Sequence, residues 1–219
     1  MKIALWLGCA VVGVIGGLNA AEPLNPKWED AIRGIEDRQS AQPLPDGGIL
    51  FTGSSSIRLW KTLAEDFPGV ALANRGFGGS QISDLIGYFD RVILPGNPRQ
   101  IVIYSGTNDL NDGESPEQVL ADFAMLCGMI ERSLPDTKIA LISAAPNPAR
   151  WEQREAQEVF NAAAAAYCAR MGYDFIDVGT PMMGEDRLPS RDIYVEDRLH
   201  MNEAGYVMWK EIVGPYLDR

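Results

Sequence analysis

The chain contains one histidine, His200, three residues after an aspartate in Asp197-Arg198-Leu199-His200. Acid–base chemistry near neutral pH therefore has a single imidazole to use. At this spacing a carboxylate can accept a hydrogen bond from one ring nitrogen while the other points outward, which orients a general base beside a nucleophile. A surface histidine in a C-terminal turn would look the same over these four residues, so the reading needs a partner elsewhere.

Three adjacent hydroxyls supply candidates. The apolar run Gly48-Ile49-Leu50-Phe51-Thr52 stops at Gly53-Ser54-Ser55-Ser56, after which Ile57, Trp60, Leu63 and Phe67 recur at three- and four-residue steps. That pattern predicts strand, tight turn and helix, with the apolar stripe facing a sheet and the serines at its carboxyl edge, where open α/β folds place their sites. Serine also caps helices well, and one of the three is expected to do so. Two more strand-like runs end in polar turns, at Gly76-Phe77-Gly78-Gly79-Ser80 and at Gly106-Thr107-Asn108-Asp109. Glycine lets a backbone N–H approach a ligand closely and asparagine donates through its amide, so Gly79 and Asn108 are candidate oxyanion donors. Taken singly, each is equally a plain turn or cap.

In this order the four blocks resemble the SGNH hydrolase superfamily, also called GDSL esterases and lipases, from about Ile49 to the C-terminus. The family's Gly-Asp-Ser falls on Gly53-Ser54-Ser55, so the resemblance implies Ser55 as nucleophile, with Ser54 where the family has aspartate. Gly79 matches the second block, Gly106-Thr107-Asn108-Asp109 the third, and Asp197 to His200 the last. The implied chemistry is acyl transfer from an ester to water through Ser55, His200 and Asp197, with the Ser55 and Gly79 N–H groups and Asn108 around the oxyanion, and with no metal or organic cofactor. Implied substrates are short-chain acyl esters, acetylated carbohydrates, lysophospholipids and thioesters. Transfer to an acceptor alcohol would use the same residues, and Ser54 is the one feature that favours a non-catalytic binding module. A metallohydrolase is disfavoured by the single histidine and the lack of clustered ligands.

These blocks must be held by alternating strands and helices. Strands are expected at Ile49–Thr52, Val70–Asn74, Ile101–Ser105, Lys138–Ser143 and Tyr173–Val178. Helices are expected at Ile57–Asp66, Gln81–Leu94, Pro116–Leu134, Trp151–Met171 and Glu203–Val213. Such alternation predicts a three-layer α/β/α fold around a five-stranded parallel sheet with flavodoxin-like strand order. Ser115-Pro116-Glu117-Gln118 reads as a cap with proline at the first helical position and glutamine in the capping-box position, and Asn202 as the cap of the last helix. The segments Ser143–Trp151 and Gly179–Pro189 have little periodicity and are expected to wall the pocket.

The 219 residues are 46% hydrophobic and 22% charged, ordinary for one globular domain. Lys2, the glycine-broken apolar stretch Ile3–Leu18 and the small residues Asn19-Ala20-Ala21 read as a secretory signal peptide over residues 1–20. A lead-in would follow over 21–48 and the hydrolase domain over 49–219. Cleavage would leave an exported protein, periplasmic or secreted, with no stable membrane insertion. It would remove Lys2 and change the net charge from −11 to −12. Bulk charge of this sign argues against nucleic acid and anionic membranes as partners, leaving a small-molecule or glycan ester as substrate. Cys127 and Cys168 sit on helical apolar stripes and read as packing residues.

Overall fold

The computed structural model describes residues 25–218, so the signal-peptide expectation lies outside the described residues. Five strands, β1 (Ile49–Gly53), β2 (Leu72–Gly76), β3 (Gln100–Tyr104), β4 (Lys138–Ile142) and β5 (Asp174–Ile176), form one sheet. Their order is β2-β1-β3-β4-β5 with every pairing parallel. This is the expected flavodoxin-like order, and it reverses direction between β1 and β3. A crevice therefore opens beyond the carboxyl ends of these two strands.

Strand alternation builds the two covering layers. Leu50, Ile101, Ile103, Ile139 and Leu141 face one side, which is covered by α1 (Glu29–Ala41), α4 (Ile82–Gly87), α5 (Phe89–Val92), α6 (Thr107–Asn111), α7 (Pro116–Ser133) and α8 (Arg154–Met171). Ile49, Phe51, Val102, Tyr104, Ala140 and Ile142 face the other, under α2 (Ser55–Leu59), α3 (Leu63–Asp66) and α9 (Glu203–Val213). Trp60, Phe51, Tyr206, Tyr104 and Trp209 make an aromatic patch on this second side, with the Tyr104 and Trp209 rings 4.9 Å apart. Because Trp209 and Tyr206 belong to α9, the patch locks the C-terminal helix over the β1–β3 seam. Tyr206 adds a hydrogen bond from its hydroxyl to the Ser56 carbonyl at 2.9 Å.

Several elements differ from the sequence reading for identifiable reasons. The helix expected at Ile57–Asp66 begins at Ser55 and breaks after Leu59, because the Asn74 side chain on β2 takes the Ile57 and Trp60 carbonyls. The stretch Gln81–Leu94 is two short helices meeting at Tyr88. β2 lies two residues later than expected, in register with all of β1. The segment 21–48 contains α1, which buries Ile32 and Ile35 against the core beside Trp28 of the preceding 3₁₀ turn and pairs Glu29 and Glu36 with Arg91. Ser115 does cap α7, but Gln118 reaches forward to Asp122 instead of closing a capping box. Asn202 caps α9 as expected. Cys127 and Cys168 are both buried and free.

Candidate active site

β1 ends in Gly53 at φ +125°, where a Cβ would lie 2.0 Å from the Tyr104 carbonyl oxygen of β3. Only glycine lets the two strands stay paired there while the chain turns into α2. Ser54 is the first residue of that turn and is buried, its N–H donating to Tyr104 O at 3.0 Å. It occupies the cap position of α2 but its side chain makes no capping bond. The turn is braced instead by Gly53 O, which accepts from Phe77 N–H at 2.9 Å and from the Ser80 hydroxyl at 3.2 Å. Ser55 follows as the first residue of α2, half-buried, with its side chain turned into the crevice.

The opposite wall comes from the far end of the chain. Asp197 Oδ1 accepts the Leu199 and His200 N–H groups at 2.8 and 2.9 Å, a tight turn made possible by Arg198 at φ +57°. The turn presents Oδ2 to His200 Nδ1 at 2.6 Å, and His200 Nε2 stands 2.9 Å from Ser55 Oγ. With Asp197 ionised, Nδ1 carries the proton and Nε2 is free to accept from Ser55. Burial works against ionisation of Asp197, but hydrogen bonds from the His200 backbone and imidazole and from Leu199 N–H outweigh it and hold the carboxyl at about 2. Ser54 and Ser56 are both buried, and Ser55 alone of the three meets His200. The geometry thus settles which hydroxyl the imidazole can reach.

Asn108 lies at the start of α6, after β3, and lines the same crevice as Ser55 and His200. Its Nδ2 donates to Ser80 O at 2.9 Å, tying the β3 turn to the loop after β2. Gly79 is in that loop at φ +82°, exposed and outside the crevice lining. Among the described residues neither Gly79 N–H nor Ser55 N–H has a protein acceptor. The rest of the lining includes Tyr104, Thr107, Ala145, Pro146, Asn147, Arg150, Met182, Tyr194, Met201 and Trp209, so both segments expected as walls contribute. The first of these, Ser143–Trp151, is tied to the segment that carries Asp197 and His200 by Ala149 N–H to Arg198 O at 3.1 Å and by the Tyr194 hydroxyl to Pro146 O.

Arg150 and Tyr194 were not singled out from the sequence. Arg150 stands in a run read as a loop, and nothing in its neighbours signals that its side chain turns back toward α6. Trp151 packs against the Arg154 guanidinium, 4.9 Å from the ring centroid.

A three-layer α/β/α fold with a serine, an imidazole and a carboxylate hydrogen-bonded in series at the β1–β3 switch point defines the class of the SGNH hydrolases. The chain belongs to the GDSL-like Lipase/Acylhydrolase family, whose profile matches residues 46–208. It is 24% identical over 187 residues to platelet-activating factor acetylhydrolase IB subunit alpha1 of Rattus norvegicus, covering 80% of this chain and 75% of the relative. Among solved structures it is similar to a Streptococcus pneumonia protein described in terms of platelet activating factor, with TM-score 0.77 and 23% identity over 89% of this chain and 94% of that one. It is also similar to a GDSL-like lipase of Bacteroides thetaiotaomicron, with TM-score 0.73 and 21% identity over 84% and 96% of the two chains. At these identities the solved structures speak for the fold, and the family match makes the chain a GDSL-type hydrolase.

Proposed function

We propose that the protein is a serine esterase that hydrolyses short-acyl carboxylic esters in two steps. The observation that carries this reading is the unbroken series Ser55 Oγ, His200 Nε2, His200 Nδ1 and Asp197 Oδ2, with separations of 2.9 and 2.6 Å. In the first step His200 takes the Ser55 proton as Oγ attacks the ester carbonyl, and Asp197 stabilises the imidazolium that forms. The oxyanion is held by the Ser55 N–H and the second N–H of Asn108 Nδ2, with the Gly79 N–H as the further donor that the family resemblance implies, and its collapse expels the alcohol, protonated by His200. Water, deprotonated by the same imidazole, then releases the acid and restores Ser55.

A short-acyl ester is the substrate class we favour, because the rat relative is named an acetylhydrolase. The crevice is partly open, and the residues that would meet the ester beside Ser55 include Ala145, Pro146, Tyr194 and Trp209. The N-terminal sequence supports export with cleavage near Ala20, which N-terminal sequencing of native protein tests.

The decisive experiment is labelling with a fluorophosphonate followed by peptide mass spectrometry, together with Ser55→Ala. The adduct is expected on Ser55, and Ser55→Ala is expected to lose on the order of 10⁴-fold in kcat on an acetyl ester. Ser54→Ala and Ser56→Ala should keep most of the activity. An adduct on another residue, or a fully active Ser55→Ala, would refute the assignment.

A further inference from the structure

Arg150 is a cation at the candidate active site that the series from Ser55 to Asp197 does not use. It sits in the 3₁₀ segment Pro148–Gln153, where its own backbone leaves helical geometry at φ −129° and ψ 36°. Asn147 fixes this kink by accepting Arg150 N–H on Oδ1 at 2.9 Å. The side chain then runs back to α6, where Nη1 donates to Asn108 Oδ1 at 3.0 Å and to Thr107 O at 3.4 Å. Among the described residues Arg150 makes no ion pair. This guanidinium is thus committed to the buried Asn108 amide and a backbone carbonyl rather than to a carboxylate.

We infer that Arg150 is a positioning residue that orients and polarises the Asn108 amide for the oxyanion. This deepens the esterase reading and rests on it. The Asn108 amide has one acceptor and two N–H donors. Arg150 occupies the acceptor and Ser80 O takes one N–H, so the amide cannot rotate its oxygen toward Ser55, and one N–H remains for the oxyanion. A charged donor on Oδ1 draws electron density from the amide nitrogen and strengthens that remaining N–H as a donor. The effect is largest when charge develops on the substrate oxygen, so it belongs to the transition state more than to substrate binding.

A second tie between the same two elements provides the control. Gln153 Nε2 donates to Asn111 Oδ1 at 2.8 Å, joining the 3₁₀ segment to α6 without touching Asn108. The test measures kcat and KM on one soluble acetyl ester for wild type, Arg150→Ala, Arg150→Lys, Gln153→Ala, Asn108→Ala and the Arg150→Ala/Asn108→Ala double variant, each with a melting temperature. Arg150→Ala is expected to lower kcat about 10-fold or more with KM changed less than about threefold. Arg150→Lys, which keeps one charged donor, should recover part of the loss, and Gln153→Ala should keep wild-type kcat. In the Asn108→Ala background, removal of Arg150 should cost nothing further, because its target is gone.

Three results would overturn the proposal: a rise in KM with kcat intact, an equal loss from Gln153→Ala, or a full second loss in the double variant. Total absence of ester turnover by wild type would instead strike the esterase reading. The positioning role keeps its own readout in that event, since Arg150→Ala must shift the Asn108 side-chain amide resonances in a ¹⁵N–¹H spectrum. Unmoved Asn108 resonances would refute it whatever the activity.

Discussion

At the scale of single residues, Asp197 is held at about 2 and stays ionised across any pH at which the protein would be assayed. On the esterase reading the general base is His200, which must be neutral to accept the Ser55 proton. The expected outcome is that kcat/KM falls as pH drops and the imidazole takes up a proton. In Asp197→Asn the rate should fall steeply with the melting temperature little changed, because the imidazole loses its preferred tautomer. A pH–rate profile of wild type beside both His200→Ala and Asp197→Asn checks this, and an acidic limb that survives in His200→Ala would exclude the imidazole as base. Much of this was legible at the level of residue types, since one histidine, one nearby aspartate and a serine after a strand leave few choices. Arg150 was not, because a side chain that reaches 42 residues back in sequence leaves no local pattern.

At the scale of elements, the strands were readable because each is a short apolar run between turns, and the helices α7, α8 and α9 because their stripes are long. Short elements failed where a distant side chain set their ends. Asn74 breaks the helix after β1, and no property of Ile57–Asp66 announces that. The helix α1 was missed although Ile32 and Ile35 share one helical face behind the buried cap residue Trp28, because its mean polarity masks these few buried contacts. The α6 turn holds a buried carboxyl with a thermodynamic consequence. Asp109 is fully buried, its Oδ1 accepts Ile82 N–H at 2.8 Å, and its Oδ2 has no partner among the described residues. Burial pushes it up to about 7, against the Ile82 hydrogen bond and with help from the charges of Glu114 and Asp122. An unfolded aspartate releases its proton near about 3.9, so between about pH 4 and 7 the folded chain binds more protons than the unfolded one. Stability should therefore decline as pH rises through that window. Asp109→Asn keeps an acceptor for Ile82 and removes the titration. Its urea midpoint, measured at pH 4.5 and 7.5 beside wild type, should lack this component of the decline.

At the scale of the whole molecule, the two layers leave both thiols inside. Cys127 and Cys168 have no exposed surface, and burial pushes the first well above the usual thiol range and the second up to about 11. Neither is a ready thiolate in the native state. In protein whose residues 1–20, and with them Cys9, have been removed, an aromatic disulfide reagent should therefore titrate no thiol when folded and both after denaturation, and rapid reaction of native protein would contradict the packing of α7 on α8.

The hydrogen bond between Ser55 and His200 joins groups 145 positions apart, and the two elements that carry them are the first after β1 and the last turn before α9. Any fragment that contains both must span residues 55–200, about two-thirds of the 219-residue chain, and α9 is also the element that covers the aromatic side of the sheet. On the esterase reading, a growing chain would carry its nucleophile from early on and gain its base only when the segment before α9 is in place. Turnover would then be a completion signal: it would report that these two distant segments have met, and a chain stalled or clipped before residue 200 would be silent however well its first strands had paired.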